Sequence, residues 1–295
     1  MNAVIEQISA HPWWREPVTV AALEGGITNH NFVVTRTSDN SKYVVRLGND
    51  IPVHHISRSN EVRVSRAAFD AGLSPAIRHH EPGILIMDFV EASTLSAEDV
   101  ATQQTLERIL PVVQRCHHQI PRHLRGAAVA FWVFHVIRDY LHTLKEGSSV
   151  HTDQLPELFN AAEQLEALSK PYEIVFGHND LLSANFLDDG DKIWLIDWEY
   201  AGYNTPLFDL GGLASNNALN ENQERWLLQH YFDTQVSDNL WLRYQAMKTA
   251  SLLRETLWSM VSEIHSTIDF DYSDYSKENL AGFKTSMSNF QELLS

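Results

Sequence analysis

The residues of this chain that could do chemistry lie in two short segments of its second half. Residues 178–185 read His-x-Asp-Leu-x-x-x-Asn, with Asp180 and Asn185 at the acid and amide positions. An apolar run then ends at Asp197, twelve positions after the asparagine. Phosphoryl transfer from a metal-bound nucleotide needs a base for the acceptor hydroxyl and oxygen ligands for magnesium. These spacings therefore predict phosphoryl transfer to a small molecule.

Each of these groups has an expected role. Asp180 would accept the proton of the acceptor hydroxyl or orient that hydroxyl. Asn185 offers a neutral oxygen and Asp197 a charged one, and magnesium bound to phosphate oxygens needs few further protein ligands. His178 is expected to hold the loop by hydrogen bonds. A lone Asp-x-x-x-x-Asn is weak evidence, but the order strand, motif, strand, aspartate is much more specific.

The elements that would face these groups begin in a β-rich N-terminal region. Residues 18–36 and 42–48 are rich in β-branched and aromatic side chains, which favours strands. The loop at 23–31 carries two glycines and small polar residues, so its backbone N–H groups could approach a phosphate. The nucleotide-binding candidates in this loop are Thr28, Asn29 and Asn31. A plain hairpin turn is the alternative, and the loop lacks the G-x-x-x-x-G-K-[ST] pattern of a P-loop.

A single cation, Arg46, interrupts an apolar strand. A buried guanidinium needs partners, and a nucleotide phosphate and a carboxylate would both serve. The carboxylate candidate is Glu61, on a helix predicted at about 57–71. The alternative is a surface arginine at a strand edge.

Residues 84–91 begin as an apolar strand and turn polar. In a two-lobed kinase the chain would cross between lobes here, and the backbone around Met87 and Phe89 would hydrogen-bond adenine. A central strand without a ligand role is the alternative. From about residue 97 the pattern becomes mainly helical. Helices are predicted at about 4–10, 98–118, 131–145, 155–169, 221–233, 238–265 and 276–293, and short strands at 173–176 and 192–196.

Composition narrows the classes of function. The 295 residues carry a formal charge of −16, which argues against a nucleic-acid binder and is compatible with a cationic substrate. No run of about 18 apolar residues predicts a membrane span. Cys116 is the single cysteine, and the first residues show no secretory pattern, so we expect a cytoplasmic protein. The spacing of the fifteen histidines predicts no metal site. The sequence does not indicate an oligomeric state.

The loop motif resembles that of the superfamily of choline/ethanolamine kinases and aminoglycoside phosphotransferases. Residues 196–204, read together with the Phe-Asp-Leu-Gly at 208–211, are similar to the choline kinase signature. The stretches 257–261 and 268–275 also resemble choline kinases. The resemblance extends from about residue 25 to about residue 283, and it includes the arginine in the strand and an Arg-x-x-Glu that ends at Glu61.

The resemblance implies an α+β, bilobal, protein-kinase-like fold. Residues 1–91 would form a small β-rich N-lobe, and residues 92–295 a larger, mainly helical C-lobe. ATP would lie between the lobes as co-substrate, with Arg46 and Glu61 organising its phosphates and Mg²⁺ as cofactor. Asp180 would be the base, and Asn185 and Asp197 the magnesium ligands. Asp209 would support the catalytic loop, a role compatible with the alternative of a helix N-cap.

The same resemblance implies a small cationic alcohol, with choline preferred, as the acceptor. A quaternary ammonium has no N–H to donate, so aromatic faces and carboxylates must hold it. The acceptor-site candidates are Glu199, Tyr203, Glu255, Trp258 and Tyr275. Glu255 stands where eukaryotic members carry an aromatic residue, and residues 215–217 replace a region where they carry a glutamate. Ethanolamine, thiamine or an aminoglycoside therefore stay open as acceptors, and a non-catalytic nucleotide-binding protein is the further alternative.

Overall fold

The computed structural model describes residues 2–23 and 29–295. Its N-terminal region is an antiparallel five-stranded sheet in the order β1-β2-β3-β5-β4, with two helices beside it. The elements in chain order are α1 (Asn2–Ser9), β1 (Val18–Leu23), β2 (His30–Arg36), β3 (Lys42–Leu47), α2 (Arg58–Asp70), β4 (Ile77–Glu81) and β5 (Ile84–Asp88). β3 lies between β2 and β5, so Arg46 stands opposite Asn31 on one side and Leu85 on the other. A central strand, rather than a sheet edge, therefore carries this arginine.

The C-terminal region is mainly helical, with short strands near its centre. Its elements are β6 (Ser93–Thr94), α3 (Ala97–Val100), α4 (Gln103–His123), α5 (Val133–Glu146), α6 (Leu155–Leu168), β7 (Val175–Gly177), β8 (Phe186–Asp188), β9 (Ile193–Leu195), β10 (Gly202–Asn204), α7 (Pro206–Asn216), α8 (Glu221–Phe232), α9 (Asp238–His265) and α10 (Tyr272–Glu292). β8 pairs with β6 and β9, and β7 pairs with β10. The predicted catalytic loop connects β7 to β8.

The helix predicted at 98–118 is instead two helices, α3 and α4. Thr102 starts the second helix, because its hydroxyl accepts the backbone N–H of Thr105 at 3.2 Å. Helix α7 was missed by the helical pattern because its glycines and proline obscure the periodicity. Thr205 is its N-cap residue, and Pro206 occupies the first turn, where a proline is favourable.

Two hydrophobic cores stabilise these regions. The N-terminal core packs Trp14 against sheet residues such as Val34, Val45 and Ile86. The Trp14 indole N–H donates to the backbone carbonyl of Ile8 at 2.8 Å, which ties α1 to the sheet. The larger core surrounds α9, whose 28 residues are buried along much of their length. Among residues 2–23 and 29–295, no helix combines the length and hydrophobicity that a membrane span requires.

The fold brings His11 and His79 next to the carboxylate of Glu81, a group that the sequence spacing did not predict. The Nε2 atoms of His11 and His79 lie 3.2 and 3.3 Å from the carboxylate oxygens of Glu81. The backbone N–H of Trp13 donates to Nδ1 of His11, which places the proton of a neutral His11 on Nε2, facing Glu81. A metal-bound Nε2 would need the opposite tautomer. The three side chains therefore act as hydrogen-bonded pairs, and these pairs hold the segment after α1 against β4.

We predict that Leu253→Ala lowers the free energy of unfolding by about 2–5 kcal/mol, because Leu253 is fully buried in the core around α9 and truncation leaves a cavity. Urea unfolding followed by circular dichroism measures this. Leu293→Ala is the matched control, since Leu293 is 48% exposed near the C-terminus. Equal losses in the two variants would contradict the assignment of α9 as the centre of the core.

Candidate active site

The loop after β7 is held from behind by Asp209. The two carboxylate oxygens of Asp209 accept the backbone N–H groups of His178 and Asn179, both at 2.7 Å. Nε2 of His117, on α4, lies 2.9 Å from the same carboxylate. Burial acts to raise the pKa of Asp209, but the hydrogen bond and charge of His117 and the backbone N–H of His178 hold it below its usual range. Asp209 lies in the first turn of α7 but is not its N-cap residue, which is Thr205.

Asn179 is a structural residue of this loop that the motif did not single out. Its φ of 67° is in the left-handed region, which asparagine tolerates better than most residues. The side chain donates to the carbonyls of Tyr200 at 3.0 Å and Gly202 at 3.2 Å, and accepts from Asn204 at 3.1 Å. An asparagine next to the motif aspartate was the available signal.

His178 connects the loop to the segment after β9. Its Nε2 lies 2.9 Å from the carbonyl of Ile196, and its ring packs against Trp198 with 4.7 Å between ring centres. Burial lowers the pKa of His178, which favours the neutral ring. The side chain is fully buried and fixes the spacing between the loop and Asp197.

Arg46 forms the centre of a charged network between the two regions. Its Nη1 contacts Glu61 on α2 and lies 2.8 Å from Asp197. Arg58, also on α2, donates to Glu61 at 2.8 Å and to Glu199 at 2.9 Å. The sequence analysis gave Arg58 no role of its own, although its spacing of three from Glu61 on a helix was a usable signal. The predicted partner Glu61 thus contacts Arg46, and Asp197 joins the same contact.

Two loop candidates face the same network. The side-chain oxygen of Asn29 accepts from Arg58 at 2.5 Å, and its amide donates to Glu199 at 3.1 Å. Asn31 accepts from Nε of Arg46 at 3.4 Å. The candidate Thr28 lies outside the described residues.

The motif residues with predicted chemical roles are Asn185, Asp180 and Asp197. The Asn185 amide donates to the backbone carbonyl of Asp180 at 2.9 Å, which orients the asparagine within the loop. Burial raises the pKa of Asp180 well above its usual range. The charge of Arg254 opposes this rise, and Glu255 and Asp197 add to it. Asp197 has a φ of 69° and a side chain that is 24% exposed.

Three of the five acceptor candidates come together on α9 and α10. The Tyr275 hydroxyl donates to Glu255 at 2.8 Å, and the rings of Tyr275 and Trp258 meet edge to face with 6.5 Å between centres. The Trp258 indole N–H donates to the hydroxyl of Tyr200 at 2.8 Å. Arg254 donates to Glu255 at 2.8 Å. Arg254 had no predicted role, although an adjacent Arg-Glu pair between apolar residues of a helix was a usable signal.

The other two acceptor candidates have different surroundings. Glu199 is buried and contacts Arg58 and Asn29, so its carboxylate belongs to the charged network. Tyr203, in β10, is 37% exposed, and its ring packs on Phe176. The structure therefore does not group these two side chains with Trp258 and Tyr275.

The backbone around the predicted crossing is largely used by the sheet. Met87 lies in β5 between Val44 and Ile77. The N–H of Phe89 donates to the carbonyl of Lys42 at 3.2 Å, and the N–H of Asp88 to a carbonyl that precedes β4. Backbone N–H donors for an adenine ring would therefore have to come from the residues that follow Phe89.

A β-rich region and a mainly helical region, with the loop that carries Asp180 between them, define a phosphotransferase with a bilobal, protein-kinase-like fold. The predicted fold class is confirmed. The chain belongs to the choline/ethanolamine kinase family, whose family model matches residues 20–284. It is therefore an ATP-using phosphotransferase that acts on an alcohol hydroxyl.

The chain is also similar to individual proteins over most of their length. Protein LicA of Haemophilus influenzae is 26% identical over 271 residues, which cover 88% of this chain and 78% of that protein. Ethanolamine kinase 2 of Mus musculus is 28% identical over 303 residues, covering 92% and 77%. The crystal structure of a choline/ethanolamine kinase family protein from Mesorhizobium loti has a TM-score of 0.76 and 28% identity, covering 99% of this chain and 97% of that one.

We predict that Asp209→Asn lowers the free energy of unfolding by about 3 kcal/mol and kcat at least tenfold. The change leaves His117 and two backbone N–H groups without a charged acceptor in a buried place. Urea unfolding and steady-state kinetics at pH 7.5 measure the two effects. Asp191→Asn, on the exposed turn between β8 and β9, is the control. Unchanged kcat in Asp209→Asn would show that the loop does not depend on this carboxylate.

His54 gives a pH-dependent prediction. Burial and the nearby charge of Arg254 lower the pKa of His54 to about 3, and its Nε2 is 3.0 Å from the hydroxyl of Ser262. The unfolded chain therefore binds one proton more than the folded chain between pH 6.5 and 3, and stability falls as the pH falls. His54→Gln removes this proton uptake on unfolding. The free energy of unfolding of the variant relative to wild type should therefore increase by about 1.4 kcal/mol for each unit by which the pH falls below 6. Urea unfolding from pH 7.5 to 4.5 tests this, and parallel curves would contradict it.

Proposed function

We propose that this chain transfers the γ-phosphoryl group of magnesium-bound ATP to the hydroxyl of a small amino alcohol, with choline as the first candidate acceptor. The observation that carries the proposal is the contact of Arg46 with both Glu61 and Asp197. This contact joins the N-terminal sheet, α2 and the end of the motif at one point. A nucleotide bound there would have its phosphates next to Asp180.

The donor set around the loop fits magnesium. Asn185 and Asp197 offer an amide and a carboxylate oxygen, and hard oxygen ligands are what Mg²⁺ prefers. The partial exposure of Asp197 leaves room for phosphate oxygens and water. Bound magnesium would neutralise charge on the phosphates during transfer. Arg46, held by Glu61, would bind phosphate oxygens.

Asp180 is the proposed proton acceptor for the alcohol. Burial raises its pKa, and general bases work best when their pKa is near the operating pH. Asp209 and His178 would act on Asp180 by holding the loop that carries it. We propose the division between the lobes after residue 91, with the adenine against the segment that follows Phe89.

The acceptor would bind on the α9 side of Asp180. The faces of Trp258 and Tyr275 suit the methyl groups of choline, and Glu255 supplies a carboxylate beside them. Ethanolamine is the second candidate, favoured by Glu255 itself. A carboxylate in place of an aromatic ring can accept an N–H from a primary ammonium, which choline lacks.

We predict that Asp180→Asn and Asp197→Asn each lower kcat with ATP and magnesium by 10²-fold or more, because the first removes the base and the second a metal ligand. Asp197→Asn should also raise the magnesium concentration needed for half-maximal rate. Asp191→Asn should match wild type. A coupled ADP assay measures all three.

The acceptor is identified by kcat/KM at fixed ATP for choline, ethanolamine, thiamine and an aminoglycoside. Choline is expected to give the highest value. An aminoglycoside with a much higher value would replace the proposed substrate class, and phosphorylation of none of these alcohols would contradict the proposal.

A further inference from the structure

Arg254, on α9, is a buried arginine whose hydrogen-bonding capacity is only partly used. Its side chain is 4% exposed, its Nη1 donates to Glu255, and its guanidinium lies over the Tyr200 ring, 4.4 Å from the ring centre. Nε and Nη2 are also buried, and they have no hydrogen-bond partner within residues 2–23 and 29–295. Burying donors without acceptors is costly, so this arrangement calls for an acceptor supplied from elsewhere.

The two unpaired nitrogens form one edge of the guanidinium. Arg78 shows what this edge binds in the same protein, since its Nε and Nη2 donate to the two carboxylate oxygens of Asp88, both at 2.7 Å. This parallel pair of donors matches carboxylates and phosphates, both of which present two oxygens at the required separation. The unpaired edge of Arg254 therefore has the chemistry of an oxyanion site.

The position of Arg254 relates this edge to the reaction. Arg254 lines a cavity of about 10 Å³ together with Asp180, Asn216, Ser251 and Glu255. That volume is near the minimum for a single water molecule. The network around Arg46 lies on the N-terminal side of the loop, so the two arginines serve different parts of the site.

We propose that the Nε–Nη2 edge of Arg254 is an oxyanion subsite of the acceptor pocket; this rests on the proposed function. The oxyanion has two sources, a carboxylate carried by the acceptor alcohol or the phosphoryl group of the product. Glu255 holds the guanidinium through Nη1 and leaves the other edge free.

Ethanolamine and L-serine are a matched pair, since both carry an amine beside the same hydroxyl and only serine adds a carboxylate. We expect one of two results with wild type, Arg254→Met and Arg254→Lys. If the source is the acceptor's carboxylate, wild type prefers serine at least tenfold in kcat/KM and Arg254→Met reverses the preference. If the source is the product, serine is not preferred, and inhibition by phosphoethanolamine weakens at least tenfold in Arg254→Met. Arg254→Lys keeps the charge but lacks the planar edge, so its values in both measurements should lie between those of wild type and Arg254→Met.

Arg78→Met is the matched control, because it removes the same edge from the exposed Asp88 pair and should leave both measurements unchanged. Calorimetric titration with glycolate and with inorganic phosphate, without ATP, separates the subsite from the proposed function. Binding that is lost in Arg254→Met supports the subsite even if no alcohol is phosphorylated. Turnover, product inhibition and titration that are all the same in folded Arg254→Met and wild type overturn it and leave the proposed function standing.

Discussion

The bonds to the buried carboxylate of Asp209 are the constraint on which the rest of the site depends. Two backbone N–H groups at the start of the loop donate to it, and His117 contacts it from α4. These bonds fix the direction in which the chain leaves β7, so the position of Asp180 is set by the backbone before any contact of its own side chain. Charge-assisted bonds away from water are strong, which lets a loop keep one conformation between two three-residue strands.

Charge is not balanced in front of this loop. Three carboxylates, those of Glu61, Asp197 and Glu199, are held by the two guanidinium groups of Arg46 and Arg58. The surplus is negative, and the phosphates of a nucleotide are negative too. A divalent cation held by the proposed ligands Asn185 and Asp197 would reduce this repulsion between the phosphates and the carboxylates.

Much of the fold could be predicted from local patterns in the sequence. The predicted limits of α8 and α9 agree with the structure to within a residue, and the arginine in β3 could be paired with Glu61 because a buried cation needs a partner. Glu199 could not be placed in this way. It is adjacent to Tyr200, which bonds Trp258 on α9, yet its own carboxylate meets Arg58, 141 positions away. Glu199 and Tyr200 lie in a turn, and the sequence does not say which region each side chain of that turn faces.

Core residues of helix α9 stand next to residues that line cavities. Leu253 and Leu257 pack in the core, while Arg254 lines the cavity beside Asp180. Trp258, which also packs in the core, lines a separate cavity with His54 and Ser262. Arg254 and Glu255 form a pair, and removing either one leaves a buried or half-buried charge without its partner. A change of the proposed acceptor would therefore involve positions 254 and 255 together.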